Sequence, residues 1–234
     1  VYDKELYELV DDAPEKLLAT FDFPIDGIIA NDKSIFLSLK NSGIVHIDRT
    51  KNRITDYRKN RLLSRKLPTG AASLFLGGET LWLGSEESGL YEVDVSNPEN
   101  PRLITHHTTI KSNPKSFSSN SVSCIIMHRG KMFIGTNGDG VFVYGKKGDF
   151  DKWTINDGLP SNNIISVVGA TDTTTWVLTN GGLVLFNQKE STAKQIGSKE
   201  ELSSFIHRPE ALVSQPNNNI AVVANGGYYL VNLG

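Results

Sequence analysis

The sequence is poor in cysteine and carries almost no net charge. Cys124 is the one cysteine among 234 residues, so no disulfide can form within the chain. The 24 Lys and Arg against 26 Asp and Glu leave a net charge of −2, whereas nucleic-acid-binding proteins usually have a strong basic excess. No apolar run reaches the roughly 18 residues that a membrane span requires. We therefore expect neither a nucleic-acid partner nor a membrane span, although 38% hydrophobic residues suffice for a core.

Signatures of catalysis and of metal binding are also scarce. The sequence has no G-x-S-x-G nucleophile motif and no histidine spacing typical of a zinc site. His106 and His107 are adjacent, so on an extended strand they point to opposite sides. Glu86 and Glu87 are neighbours on a predicted loop, whereas a glycosidase needs two carboxyl groups that face each other. We interpret Cys124 as a small buried residue. The chain is thus predicted not to be an enzyme and to bind no metal or cofactor.

What the sequence does contain is an internal repeat. Each repeat has a short apolar run, a polar turn, a second apolar run, a glycine-bearing turn and a third, alternating run. The repeats cover residues 28–48, 74–94, 125–144, 167–187 and 212–232. The glycines that begin the third runs are Gly43, Gly89, Gly140, Gly182 and Gly227, at spacings of 46, 51, 42 and 45 residues. This period is typical of a β-propeller blade of four short strands, which takes roughly 40 to 50 residues.

The repeat predicts an all-β fold, a β-propeller of four-stranded blades with strands a to d in chain order. We expect one domain over residues 1–234. Its five blades would lie at about 25–67, 70–110, 120–157, 163–197 and 210–234, with residues 1–22 closing the last one. Pairing the N- and C-terminal strands in this way would remove exposed sheet edges. Both ends offer a third strand, so one of them could be displaced, or the chain could be part of a larger ring.

One helix is predicted between the fourth and fifth repeats. Ser198 and Glu201 have the spacing of a capping box, in which the glutamate reaches back to the first residue of the motif. Leu202, Phe205 and Ile206 would then form the buried face of this helix.

Several segments resemble a known repeat. Residues 158–165, GLPSNNII, are similar to the G-L-P-S-N-x-I segment of the two-component regulator propeller repeat family. Residues 81–85 and 132–137 resemble its L-W-I-G-T element, and residues 89–94 resemble its G-L-x-x-x-D element. The likeness covers nearly the whole chain. It is weaker in the first repeat, where residues 36–38 read FLS, and in the fifth.

The resemblance implies a periplasmic sensor propeller of a bacterial hybrid two-component system. Many such propellers recognise glycan fragments, and related repeats occur in secreted and cell-envelope proteins. The resemblance therefore implies a periplasmic or extracellular location, and any export signal would precede Val1.

A ligand site is expected where the b–c and d–a loops emerge together, because loops on a rigid scaffold carry function. The first d–a connection, residues 58–72, contains five cations and no acid, which favours an anionic ligand. The predicted ligand-binding residues at this end of the blades are Arg61, Arg65, His107, Asn137, Asn162, Asn180, His207 and Arg208. Two plainer interpretations stay open: the cations are solvated loop charges, and the asparagines serve turns.

These observations leave three hypotheses. The first is a non-catalytic extracytoplasmic sensor that binds a small polar ligand, for instance an oligosaccharide. The second is a polysaccharide lyase or glycoside hydrolase, because propellers also host enzymes. The third is a protein-interaction scaffold of the cell envelope that binds a protein partner or forms a homodimer. Convergent ionisable groups would favour the enzyme, and a large exposed apolar patch would favour the scaffold.

Overall fold

A computed structural model of the chain describes residues 3–9, 15–145, 148–196, 209–215, 219–224 and 227–231. The described residues form 21 β-strands and two short 3-10 turns, Tyr57–Lys59 and Ile155–Asp157. The predicted all-β fold is thereby confirmed. The predicted helix at residues 198–206 lies outside the described residues. The chain divides into two compact units, Val1–His106 and His107–Gly234.

The first unit contains a hairpin and two four-stranded antiparallel sheets. The hairpin pairs β1 (Glu5–Glu8) with β2 (Lys16–Thr20). The first sheet has the order β3 (Ile25–Ala30), β4 (Ser34–Leu39), β5 (Gly43–Asp48) and β6 (Arg53–Asp56). The second has the order β7 (Ser73–Gly77), β8 (Thr80–Ser85), β9 (Gly89–Asp94) and β10 (Arg102–His107), and the two units divide at the end of β10.

The second unit contains three further sheets. The third sheet consists of β11 (Val122–His128), β12 (Lys131–Thr136), β13 (Val141–Tyr144) and β14 (Phe150–Trp153). The fourth consists of β15 (Ile164–Gly169), β16 (Thr174–Thr179), β17 (Gly182–Asn187) and β18 (Thr192–Ile196). The fifth has three strands, β19 (Pro209–Ser214), β20 (Ile220–Ala224) and β21 (Gly227–Val231).

The strand pairing follows the predicted a-b-c-d order of the repeat in four sheets and a-b-c in the fifth. The joining of the two chain ends into one blade concerns both units and stays a prediction, as does the single domain. Within the described residues, β1 and β2 form a sheet of their own, and β21 is the last strand of the fifth sheet.

Within each unit, the core lies between successive sheets, and the b strands are its most buried part. All six residues of β4 are buried, and only the first residue of β8, β12 and β16 is not. Sheets that are covered on both faces require such nearly continuous apolar runs. In the second unit, Trp153 of the third sheet stacks on Phe186 of the fourth, with ring centroids 4.0 Å apart. Large aromatic side chains therefore fill the space between neighbouring sheets.

Four of the five a strands share an irregularity at their start, and β7 lacks it. The pairing of β3, β11, β15 and β19 with the following strand shifts by one residue there, as in a β-bulge. A bulge bends the strand and redirects a side chain. The four bulges lie at the b–c end of the sheets, which is the end where a ligand site was predicted.

Candidate functional site

The connection from β6 to β7 is held firmly against the b–c end of the first sheet. The Oδ1 atom of Asn60 accepts hydrogen bonds from the backbone N–H groups of Leu62 and Leu63, both at 3.1 Å. The side chains of Tyr57 and Leu63 are buried in the core between the first two sheets. Further along, the N–H of Ala71 donates to the hydroxyl of a β4 serine at 2.8 Å. Exposed side chains of this connection are therefore carried on an anchored backbone.

The cations of this connection differ in their availability. Arg58 forms a bidentate ion pair with Asp56, with Nη2 2.6 Å from Oδ2 and Nε 2.8 Å from Oδ1. The expectation that the five cations lack a compensating acid is therefore wrong for Arg58, since the acid precedes the predicted loop. Arg61 and Arg65 are exposed, and no described residue forms an ion pair with either of them. These two guanidinium groups are free to meet an anion.

A cavity of about 210 Å³ lies under the same connection. Its polar lining includes Ser42, Arg58 and Ser64, and its apolar lining includes Ile44 and Leu67. The b–c turn of the first sheet and the d–a connection that follows it thus line this cavity together.

Acidic groups also lie at this end of the first unit. A smaller recess of about 50 Å³ is lined by Asp26, Asn41, Glu86 and Glu87 among others. Its carboxylates partly offset the field of the cations. Among the described residues, no group of three His, Cys, Asp or Glu side chains is arranged to hold a metal ion.

In the second unit, Asn162 organises the b–c end of the third sheet. Its Oδ1 atom accepts a hydrogen bond from the N–H of Ile155 at 2.9 Å. Its backbone carbonyl accepts from the N–H groups of Gly138 and Gly140, at 3.1 and 2.9 Å. These contacts fix one loop to the next turn, so the Asn162 acceptor is used within the fold.

The other two predicted asparagines make similar loop contacts. The Nδ2 of Asn137 donates to the Oγ of Ser121 at 3.1 Å, and its backbone N–H donates to the carbonyl of the same serine at 3.0 Å. The backbone N–H of Asn180 donates to the carbonyl of Asn163 at 3.1 Å. The structure therefore brings Asn137, Asn162 and Asn180 into one set of connected turns, which supports the interpretation that they serve the turns.

The predicted histidines are placed differently. His107 packs edge-on against Tyr144 and Phe150, with ring centroids 6.0 and 5.3 Å apart. His107 is thus part of an aromatic cluster. His207 and Arg208 lie outside the described residues, so their predicted role stays a prediction.

Burial raises the pKa of the Cys124 thiol above its ordinary value. A reactive thiolate would need the opposite shift. This direction supports the interpretation of Cys124 as a packing residue.

Three of the b strands end in a hydroxyl side chain that was not among the predicted site residues. The hydroxyl of Thr136 donates to the carbonyl of Gly140 at 2.7 Å, and that of Thr179 donates to Gly182 at 2.9 Å. In the second sheet, the Oγ of Ser85 accepts from the N–H of Ser88 at 3.3 Å. These hydroxyls close the b–c turns, and the Ser or Thr at the end of the second apolar run in the second, third and fourth repeats was the signal for them.

Comparison with known proteins finds likeness in structure and none in sequence. No protein-family model matches the chain, and no curated protein matches its sequence. The chain does resemble solved extracellular domains assigned to two hybrid two-component systems of B. thetaiotaomicron. The first is 18% identical with a TM-score of 0.73, and the likeness covers 99% of this chain. The second is 16% identical with a TM-score of 0.71, over 90% of this chain.

The chain spans 30% of the length of the first of these structures and 28% of the second. The WD40 repeats of RRP9 are also similar, at 11% identity and a TM-score of 0.66, over 93% of this chain and 62% of that one. These similarities show the fold, which is an all-β fold of the propeller type with four-stranded blades. The predicted likeness to extracellular domains of hybrid two-component systems is confirmed in structure.

Within the described part of the chain, no helix has the length and apolar character that crossing a membrane requires.

Proposed function

We propose that the chain is a non-catalytic recognition module of an extracytoplasmic sensor. The observation that carries this proposal is the structural likeness to extracellular domains of hybrid two-component systems, which extends over 99% of the chain. We assign a sensor role to this chain by analogy of fold, and a fold alone does not determine function. The proposal therefore also needs a place for a ligand.

The ligand site that we propose lies at the b–c end of the first sheet. The anchored connection from β6 to β7 carries Arg61 and Arg65 as exposed cations that form no ion pair with a described residue, and other residues of the same connection line the cavity of about 210 Å³. A guanidinium group can bind a carboxylate or sulfate through two parallel hydrogen bonds. The ligand class that fits is a small anionic polar molecule, such as an oligosaccharide that contains uronic acid or sulfate.

Calorimetry with two oligosaccharides of equal length tests this site. A trisaccharide of galacturonic acid should bind, and a neutral galactose trisaccharide should bind more weakly. Affinity should fall as NaCl rises, because exposed charges are screened within about 8 Å at physiological ionic strength. Equal or absent binding of the two sugars would leave the cluster as solvated loop charge.

Two matched double variants distinguish binding at this site from an effect of the overall charge of the protein. Replacing Arg61 and Arg65 together by Ala should weaken binding of the charged sugar about tenfold. A solvent-exposed charged contact contributes less binding free energy than a buried one, so the loss should be modest. Replacing Lys189 and Lys194 by Ala removes the same charge from exposed positions in the second unit. This control should leave the affinity unchanged. A similar loss in both double variants would contradict a local site.

The enzyme alternative predicts turnover rather than binding. We expect no product release from uronic-acid or neutral polysaccharides. Sustained product release that survives repurification and disappears in the His107→Ala variant would overturn the non-catalytic proposal. The protein-interaction alternative predicts that no oligosaccharide binds.

A further inference from the structure

A larger cavity lies at the opposite end of the first unit from the site proposed above. Its volume is about 450 Å³, within the range of roughly 300–1,000 Å³ that is typical of ligand pockets. It opens between the first and second sheets, where their a–b and c–d turns meet. We call it the inter-sheet pocket and define it by the turns at 31–33, 49–52, 77–79 and 95–99 and by the strand residues beneath them.

The floor of the inter-sheet pocket combines a buried imidazole with an apolar wall. His46 is 1% exposed, and its Nε2 atom lies 3.0 Å from the Oγ of Ser34. Its Nδ1 atom is buried and has no hydrogen-bond partner among the described residues. Phe36 and Val95 line the same floor, and both are buried. A ligand that enters here therefore meets apolar surface beneath a polar rim.

Part of the rim charge is already used within the fold. Lys51 lies 3.3 Å from both Asp48 and Glu99, and Glu99 also pairs with Arg53 at 3.1 Å. Asp48 accepts further hydrogen bonds from the backbone N–H and the hydroxyl of Thr50. These groups satisfy one another and form a mixed-charge border along one side of the pocket.

Two further charged side chains on the rim, one of each sign, take no part in these ion pairs. Lys33 lies in the a–b turn of the first sheet, and Glu79 lies in the a–b turn of the second. Both line the inter-sheet pocket, and neither forms an ion pair with any described residue. A simple anion would meet the carboxylates of Asp48, Glu79 and Glu99, and a simple cation would meet two ammonium groups. A molecule that carries both charges matches the rim.

We infer that the inter-sheet pocket binds a small zwitterion, an α-amino acid with an apolar side chain. Its carboxylate pairs with the ammonium of Lys33, and its ammonium pairs with the carboxylate of Glu79. Its side chain packs on the apolar wall formed by Phe36, Leu76 and Val95. The inference is independent of the anionic site at the b–c end, which uses other residues and other probes.

Isothermal titration of the whole chain with L-leucine and two analogues tests the inference. Leucinamide keeps the ammonium and lacks the carboxylate, and N-acetyl-L-leucine keeps the carboxylate and lacks the ammonium. Each analogue should bind at least about tenfold more weakly than L-leucine, since each loses one charge-assisted contact. D-glucose, a neutral polar probe of similar size, should not compete with L-leucine.

Two variants assign the two charges to their residues. In Lys33→Gln, the preference for L-leucine over leucinamide should disappear, whereas the preference over N-acetyl-L-leucine should remain. In Glu79→Gln, the reverse should hold. Both residues are exposed, so neither change should affect folding. The matched controls are Lys40→Gln and Glu86→Gln, which remove exposed charges at the b–c end and should leave both preferences intact.

Three results would overturn the inference. One is the absence of saturable binding of L-leucine up to about 10 mM, tenfold beyond a millimolar dissociation constant. Another is equal binding of L-leucine and both analogues. The third is unchanged selectivity in either variant. None of these results bears on binding of uronic-acid sugars at the b–c end, so the two proposals can fail separately.

Discussion

The Nε2 atom of His46 lies 3.0 Å from the Oγ atom of Ser34, and both side chains are buried in the first sheet. Burial lowers the pKa of His46 below its ordinary value of 6.5, because desolvation disfavours the charged imidazolium. The nearby carboxylates of Asp48 and Glu99 oppose this shift without cancelling it. His46 is therefore neutral in the folded protein at neutral pH.

The lowered pKa of His46 predicts that stability decreases as the pH falls below 6.5. In that range the unfolded chain binds a proton that the folded chain does not, and the loss stops once the pH is below the folded pKa. This residue can remove at most about 1.4 kcal/mol per pH unit from the free energy of unfolding. Urea denaturation between about pH 8 and 5.5 measures the slope. The His46→Gln variant should show a shallower slope, and an identical slope would contradict the prediction.

The N-terminal hairpin should contribute to the stability of the first unit. Leu6 of β1 is 2% exposed and packs in a cluster with Leu37, Val45 and Ile47 of the first sheet. Leu6→Ala should lower the free energy of unfolding by about 2–5 kcal/mol, since it removes buried methyl groups and leaves a cavity. Leu9, next to the hairpin, is 75% exposed, so Leu9→Ala is the matched control and should change little. Equal effects in thermal denaturation would show that the hairpin does not pack as described.

Gly140 should be intolerant of any side chain. Its φ is +84°, and a Cβ atom there would overlap the backbone carbonyl of Trp153. Gly148 has a φ of +80° and open space around its Cβ position, so Gly148→Ala carries the backbone strain without the overlap. Both variants should lose about 1–2 kcal/mol through strain. Gly140→Ala should lose about 2 kcal/mol more, because overpacking against a backbone atom is added. Equal melting temperatures would contradict the described contact.

The sheets could be predicted from the sequence because each consists of strands that follow one another in the chain. Such pairing depends on local turns, and local turns have residue signatures. The five repeat glycines, Gly43, Gly89, Gly140, Gly182 and Gly227, all have positive φ values. The spacing of these glycines therefore marked turns that the structure contains, and the positions of the turns predicted the order of the strands.

The sites could be predicted less well, because they depend on which side chains meet across separate repeats. Asp56 precedes the predicted cationic loop by two residues, and only the structure shows that its carboxylate forms an ion pair with Arg58. The inter-sheet pocket joins turns that are far apart in sequence and carry no shared motif, so no pattern indicated it. The asparagine-rich turns did have a pattern, but a turn contact and a ligand contact use the same residue type.

Asn162 distinguishes these two roles most directly. Its Oδ1 atom accepts from the N–H of Ile155 at 2.9 Å, and that N–H would lose its partner in Asn162→Ala. We expect the free energy of unfolding to fall by about 1 kcal/mol, the usual worth of such a hydrogen bond. Asn156→Ala is the control, because Asn156 is exposed in the adjacent 3-10 turn and no hydrogen bond of its side chain is described.

Affinity for the galacturonic acid trisaccharide should be unchanged in Asn162→Ala, because the Oδ1 acceptor is occupied within the fold and lies in the second unit. Urea denaturation and calorimetry on the same preparation measure stability and binding separately. If the variant kept full stability but bound the sugar more weakly, Asn162 would be a ligand-binding residue. A variant with reduced stability and full binding would establish that Asn162 acts by holding the turn of Gly138 and Gly140 to the loop of Ile155.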